Sequence, residues 1–426
     1  MYINKKDSYE ELYDIIMANR YKNILVAADS NTYAAAGIGA RVAAFLRGKN
    51  VNFREFIFNN RVPALVPDET AVGRLIIAAD GGVDFIIGIG SGVINDLCRY
   101  CAYRIGAKYA IIATAASMDG YLSGISPLII NGAKVTYPAM TPSAVLTEPA
   151  LLASAPRVMT AAGFGDIIGK VTSSLDWKIS SLLFGEKYIA EAAEKTAEAV
   201  KICRKNIDSI SSGGEAGVCA VMDALALSGE AMADAGNSRP ASGAEHHLAH
   251  FWEMTFLRGG KDSVLHGILV AAAALAVIRI YKTLVNEAPD FGAAVKKAGY
   301  FSPEDFKNEM REQYREAAER VISEEFESKR LFPDNTAGRI KIYEQKWPEI
   351  IDLINKNIPA EDELENELKS AGRLASPVEI GISREAFRNG VVYAMHQRQR
   401  FTVLQILRDL GLIGEYADSI AAYYYK

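Results

Sequence analysis

Four short apolar runs, each followed by helical periodicity, fill the first third of this chain and limit the folds open to it. The run at 23–28 ends at Asp29 and leads into a helical pattern over 33–46. The runs at 51–58, 84–90 and 109–114 repeat the theme. Strand, helix, strand at this spacing predicts a parallel sheet with helices on both faces. Such sheets bind ligands beyond the carboxyl ends of their strands. After about Arg157 the strand signals stop, and 188–205, 264–285 and 385–410 carry helical periodicity. Residues 304–330 predict a solvated surface helix that opens on Ser302-Pro303-Glu304-Asp305, with proline in the first turn. The expected architecture is a doubly wound, Rossmann-like α/β domain over 1–157 and an all-α domain over 158–426. No long flexible linker separates them, so they should meet at a fixed cleft.

Bulk properties narrow the partners. A formal net charge of -5 argues against nucleic acid. The first residues lead into a polar helix rather than an apolar leader, and the longest apolar stretch, 267–278, reads as a buried helix too short to cross a bilayer. Four cysteines (Cys98, Cys101, Cys203 and Cys219) fit a reducing cytoplasm. Cys98 and Cys101 form a C-x-x-C without a second pair, so they read as two buried thiols rather than a zinc site.

Gly88-Ile89-Gly90-Ser91-Gly92-Val93-Ile94-Asn95-Asp96 follows a predicted strand and opens a predicted helix. Glycines let backbone approach a pyrophosphate, and a helix N-terminus offers free N–H donors at its positive end. The spacing is not G-x-G-x-x-G, and a plain tight turn is the competing reading. Asp29 closes the first strand, where a carboxylate either accepts from an adenosine ribose or caps the next helix.

Four of the five histidines lie between 246 and 266. His246 and His250 are four apart and share a helix face, His247 points about 100° away, and His266 begins the next predicted helix. Imidazole is the commonest neutral ligand for a divalent metal. The missing anion is Asp166, in Gly163-Phe164-Gly165-Asp166, which would begin an apolar helix; an aspartate there could instead be a helix-dipole partner. Satisfied core histidines are the bland alternative for the cluster. The loop Gly236-Asn237-Ser238-Arg239-Pro240-Ala241-Ser242-Gly243 combines a guanidinium, hydroxyls and flexible backbone, which suits a phosphorylated substrate or an ordinary structural loop.

Taken together, the Gly88–Asp96 loop, Thr114-Ala115-Ala116-Ser117-Met118-Asp119-Gly120-Tyr121, Gly163–Asp166, Ser238–His247 and Gly381-Ile382-Ser383-Arg384-Glu385 resemble the dehydroquinate synthase-like and iron-containing alcohol dehydrogenase superfamily. Within it the chain is similar to bacterial-type sn-glycerol-1-phosphate dehydrogenases, over nearly its whole length. The resemblance implies the dehydroquinate synthase-like fold and metal ligands at Asp166, His246 and His266, with His246 preferred to His247 because the family pattern is His-x-x-x-His. It implies dinucleotide contacts at Asp29, Gly90, Ser91, Gly92, Val93, Ile94, Asn95, Asp96, Thr114 and Ser123. Asp119 and His250 would be catalytic, Asp119 also meeting the substrate alcohol, with Arg239 and Lys170 on a substrate phosphate. Val93 replaces the loop's common threonine, and Glu148 stands where many relatives carry aspartate.

The implied activity is metal-dependent, reversible reduction of dihydroxyacetone phosphate to sn-glycerol 1-phosphate with NAD(P). The implied metal is zinc or nickel, with iron or manganese as further candidates, and the implied assembly is a homodimer or larger homo-oligomer. Competing readings are a glycerol or polyol dehydrogenase of the iron-type family, a dehydroquinate synthase-like lyase that recycles NAD internally, and a non-catalytic binding protein on the same fold.

Overall fold

The computed structural model describes residues 1–6, 8–59, 65–262, 264–372 and 376–426. Among these lie strands β1 (Tyr2–Asn4), β2 (Ile24–Asp29), β3 (Phe53–Phe58), β4 (Phe85–Gly90), β5 (Lys108–Ala113), β6 (Ile125–Ile130), β7 (Ala133–Pro138) and β8 (Ala144–Thr147). Six of them form one parallel sheet in the order β1-β8-β5-β4-β2-β3. Every residue of β2 and β4 is buried, as expected of a parallel sheet covered on both faces. The two-residue side-chain period sorts them into two cores. Leu25, Ala27, Ile86, Tyr109 and Ile111 pack on one face. Ile24, Val26, Phe85, Ile87, Ala110 and Ile112 pack on the other. The chain runs from β2 out to β3 and then back across to β4, so strand order reverses between β2 and β4. Asp29 and Gly90 end these two strands and flank the crevice where such sheets take ligands.

Strands β2 to β5 match the apolar runs within two residues. β1 and β8, of three and four residues, are too short to carry periodicity. The antiparallel β6–β7 hairpin was also unforeseen. Its sequence signal is Asn131-Gly132, with φ of 48° and 66°, the pair that suits a two-residue hairpin turn.

Beyond β8 the described residues contain helices and no strand. The expected helices over 188–205 and 264–285 are Ala190–Lys205 and His266–Leu284. The latter outruns the 267–278 stretch, and with Glu215–Ala235 it is apolar and long enough to span a bilayer by composition; both are mostly buried inside this fold. Three expected helices are broken. The 33–46 pattern divides into Ser30–Ala34 and Ile38–Gly48 around Ala36, at φ 49°. The 304–330 segment divides into Pro303–Tyr314 and Ala318–Ser328 at Arg315, φ 47°. It is not wholly solvated either: Glu325 is buried and bonded to His396 and Arg330. The 385–410 segment becomes Arg384–Tyr393, a 3-10 turn over Ala394–Gln397, extended backbone at Arg398 and Thr402, and then Val403–Asp409.

Candidate metal centre and adjoining cleft

Two helices cross almost backbone to backbone to build the centre. A Cβ on Gly267 would lie 1.8 Å from the Ala162 carbonyl oxygen, and one on Gly165 would lie 2.5 Å from the Gly267 carbonyl oxygen. The absent side chains let the Arg157–Ile168 helix, which carries Asp166, rest directly on the His266–Leu284 helix. The Ala244–Arg258 helix, which carries His246 and His250, packs against the latter. Asp166 therefore comes from the last turn of its helix, not from a helix start as expected. A carboxylate at the negative end of a helix dipole is unfavourable, and Lys170, one turn on, offsets it at 2.7 Å.

Ligand-type atoms of Asp166, His246 and His266 all lie within 4.8 Å of one another. His246 Nε2 is 3.6 Å from Asp166 Oδ1, and the His246 and His266 ring centroids are 5.2 Å apart. The Nδ1 of His246 faces Glu245 Oε1 at 2.7 Å. As a donor there, it leaves the Nε2 lone pair turned toward Asp166, the carboxylate–histidine arrangement that fixes a metal-binding tautomer. Glu245 is itself held by the Gly243 N–H and the Thr172 hydroxyl, each at 2.7 Å. Burial by itself would raise the Asp166 carboxyl, but Lys170, with His246 and His266, holds it well below the usual carboxylate range. Burial, then Lys134, keeps His266 and His250 well below the ordinary imidazole value. One anionic oxygen and two imidazoles fit a divalent cation with open positions. His250, Glu253 and His266 also lie within 4.8 Å of one another, but Lys134 meets both Glu253 oxygens, at 2.9 and 2.6 Å, and compensates that carboxylate.

A cavity of about 560 Å³ runs from Ser91 and Gly92 to His246, His250 and His266. At one end the Gly92–Ile105 helix presents its N-terminus. A Cβ on Gly90 would meet the Ile94 Cβ at 2.6 Å, so a larger residue there would push this helix off the strand end. Of the loop positions expected to touch a dinucleotide, Ser91, Gly92, Val93 and Asp96 line the cavity. Ile94 and Asn95 turn into the core, where the Tyr109 hydroxyl and Asn95 Oδ1 are 3.3 Å apart. Asp96 meets Arg99 at 3.0 Å, and burial pushes its carboxyl up to about 6. Ser123 lines the cavity; Thr114 is buried at the end of β5, its N–H bonded to the Gly90 carbonyl. Asp29 is an N-cap, accepting from the Asn31 and Thr32 N–H groups at 3.0 Å and from the Thr32 hydroxyl at 2.6 Å.

Asp119 and His250 both line the cavity. Asp119 accepts from Lys170 at 2.8 Å and from the Ser228 hydroxyl at 3.0 Å, and its own N–H donates to Asp166 Oδ2. The two expected phosphate contacts lie elsewhere. Lys170 has no exposed surface, and its ammonium is committed to Asp119 and Asp166. Arg239 sits in an inward-facing 3-10 turn. Its guanidinium pairs with Glu186 through two 3.0 Å bonds and donates to the Asp176 carbonyl, outside the residues that line the cavity. His247 is buried away from the cavity, and among the described residues neither of its ring nitrogens has a hydrogen-bond partner. Cys98 and Cys101 are buried free thiols, and burial raises both.

Sequence reasoning missed Glu245, although a carboxylate directly preceding a candidate ligand histidine was a readable signal. It also missed Arg398, which lines the cavity and donates to the Thr136 hydroxyl at 3.0 Å. No sequence signal separated Arg398 from its neighbours, because its segment reads as continuous helix. The β6–β7 hairpin supplies Thr136 and Lys134, and so ties the sheet half of the molecule to the histidine helix.

Residues 3–156 match the family model for iron-containing alcohol dehydrogenase. A probable glycerol dehydrogenase from Sinorhizobium meliloti shares the fold, with a TM-score of 0.64 at 16% identity over 100% of this chain and 97% of that one. A protein named glycerol-1-phosphate dehydrogenase, NAD(P)+, from Halalkalibacterium halodurans is 39% identical over 267 residues, 62% of this chain and 66% of that protein. Its namesake from Bacillus licheniformis is 32% identical over 404 residues, 95% of this chain and 87% of that protein. A match at 32% identity that spans 95% of this chain and 87% of the relative places the chain in a family, and the chain belongs to the glycerol-1-phosphate dehydrogenase family.

Proposed function

We propose that this chain is an oxidoreductase that interconverts dihydroxyacetone phosphate and sn-glycerol 1-phosphate with NAD(P) and one divalent cation. The observation that carries the reading is the single cavity shared by the N-terminus of the Gly92–Ile105 helix and the Asp166, His246, His266 cluster. When bound, the cation would supply Lewis acidity toward a substrate oxygen and the nicotinamide would supply or accept the hydride. Asp166, His246 and His266 would hold the cation, and Glu245 would keep His246 in its binding tautomer. The N–H groups at Ser91, Gly92 and Val93 would receive the pyrophosphate, with Ser123 farther along the same wall. Asp29, already engaged as a helix cap, would meet the adenosine ribose only through capacity its cap leaves open. Asp119, pinned by Lys170 and Ser228, would orient the substrate hydroxyl. His250, kept neutral by burial and by Lys134, would pass a proton at a ring nitrogen rather than stand as an imidazolium. The division into a dinucleotide half over 1–157 and a helical metal and substrate half over 158–426 follows the same reading, and four free cysteines suit a reducing compartment.

The test is metal analysis of the purified protein alongside oxidation of NADH or NADPH with dihydroxyacetone phosphate and with dihydroxyacetone. Metal-dependent oxidation that favours the phosphorylated ketone is expected. Equal use of the two ketones would move the protein to the polyol dehydrogenases. Phosphate release without net nicotinamide oxidation would mark a lyase. Glu245→Gln should lower metal affinity about 10- to 100-fold, the usual cost of losing a partner that orients a ligand; titration with a competing chelator measures it. An unchanged affinity would remove Glu245 from the centre.

A further inference from the structure

We infer that Arg398, rather than Arg239 or Lys170, reads the phosphate of the substrate, an assignment that rests on the dihydroxyacetone phosphate reading above. Arg398 faces the same cavity as His246, His250 and His266. It stands on the extended backbone that follows the Ala394–Gln397 turn, so its side chain crosses toward the β6–β7 hairpin instead of lying along a helix. Among the described residues its one hydrogen bond goes from Nη2 to the Thr136 hydroxyl. Among the described residues no carboxylate pairs with it, and most of its donor fork is left for a ligand.

The surroundings point to the same ligand chemistry. His247 lies within electrostatic reach of Arg239, Arg330, Arg398 and Arg400. Arg239 is neutralised by Glu186 and Arg330 by Glu325, whereas Arg398 and Arg400 form no ion pair among the described residues. Arg400 spends its guanidinium on the loop, donating to the Ser242 carbonyl at 2.8 Å and the Ser238 hydroxyl at 3.1 Å. That fixes Ser238 and Ser242 in the cavity wall, and among the described residues the buried Ser242 hydroxyl has no hydrogen-bond partner. Burial and a neighbouring guanidinium depress Arg398 to about 10, and burial with Arg398 depresses Arg400 to about 9. The Arg398 guanidinium and the Ser242 hydroxyl in one cavity wall, with Arg400 bonded to the loop that carries Ser242, suit a dianionic phosphate monoester. The planar arginine fork matches two phosphate oxygens at once. Arg239 cannot take this role without abandoning Glu186, nor Lys170 without stripping two buried carboxylates.

The experiment compares wild type, Arg398→Met and Arg398→Lys on dihydroxyacetone phosphate and dihydroxyacetone, with inorganic phosphate as a competing ligand. Arg398→Met should raise the KM for the phosphorylated ketone about 100-fold, the scale of hydrogen bonds to a charged group. Its loss on dihydroxyacetone should be at least about 30-fold smaller, on the same reasoning. Arg398→Lys keeps the charge but not the fork and should fall between, which preserves the test if the methionine variant does not fold. Inhibition by inorganic phosphate should weaken in the same order. If wild type prefers the phosphorylated ketone and both variants keep that preference, Arg398 is not the phosphate contact and the functional reading survives. If wild type shows no such preference, the functional reading falls and the Arg398 assignment falls with it.

Discussion

Asp166→Asn is expected to yield a folded protein that no longer retains a divalent cation and that oxidises NADH with dihydroxyacetone phosphate at least about 100-fold more slowly, since losing even an orienting partner typically costs 10- to 100-fold. The amide keeps the carboxylate's shape, and one of its atoms can still accept from the Asp119 N–H, now made at 3.0 Å. Lys170 keeps Asp119 at 2.8 Å, so no buried ammonium is stranded; a fully unpaired one would cost about 3–5 kcal/mol. What disappears is the only anionic oxygen of the Asp166, His246, His266 set. Metal content per chain and the nicotinamide assay, run on the same preparation, decide the matter. A variant that stays active with a full equivalent of metal would end the assignment of the centre.

Gly267→Ala should have the second large effect, and it acts through packing alone. The added Cβ would stand 1.8 Å from the Ala162 carbonyl oxygen. Neither partner is a flexible side-chain tip, so the two helices must part. Overpacking of this kind costs about 1–3 kcal/mol, and more where backbone has to move. Because Asp166 and His266 sit on opposite sides of the crossing, separating the helices also spreads the metal ligands. A drop in melting temperature together with weakened metal affinity is expected. Calorimetry and metal titration measure the two independently, and a variant that lost neither would show that the crossing tolerates a methyl group and does not set the ligand spacing. Gly163→Ala, on the Arg157–Ile168 helix and facing the Ala116 carbonyl oxygen at 2.2 Å, should destabilise the fold with a smaller effect on metal.

The parts of the site legible in the sequence are those whose chemistry is rare or local. Asp166 stands out as an acid in an otherwise apolar segment, and the histidines as a cluster. Strands β2 to β5 carry enough apolar residues to announce themselves. Asp29 shows the limit of local reading, because capping a helix and accepting from a ribose ask for the same residue at the same place. Arg239 shows another. Arginine beside serines in a glycine-containing loop looks like an anion site until Glu186, 53 residues earlier, is found holding it.

By itself the sequence determined the alternation of strands and helices in the first third, the helical character of the rest, and the residue types a metal centre needs. Those are decided within a few turns of chain by side-chain period and by donor chemistry. Only the tertiary structure decided which cations pair with a carboxylate among the described residues. Lys170 and Arg239 are spent on carboxylates brought to them by packing, while Arg398 is left facing the cavity by a break that helical periodicity conceals. Periodicity along a chain describes one element at a time, whereas the state of a charge depends on whatever the fold sets beside it.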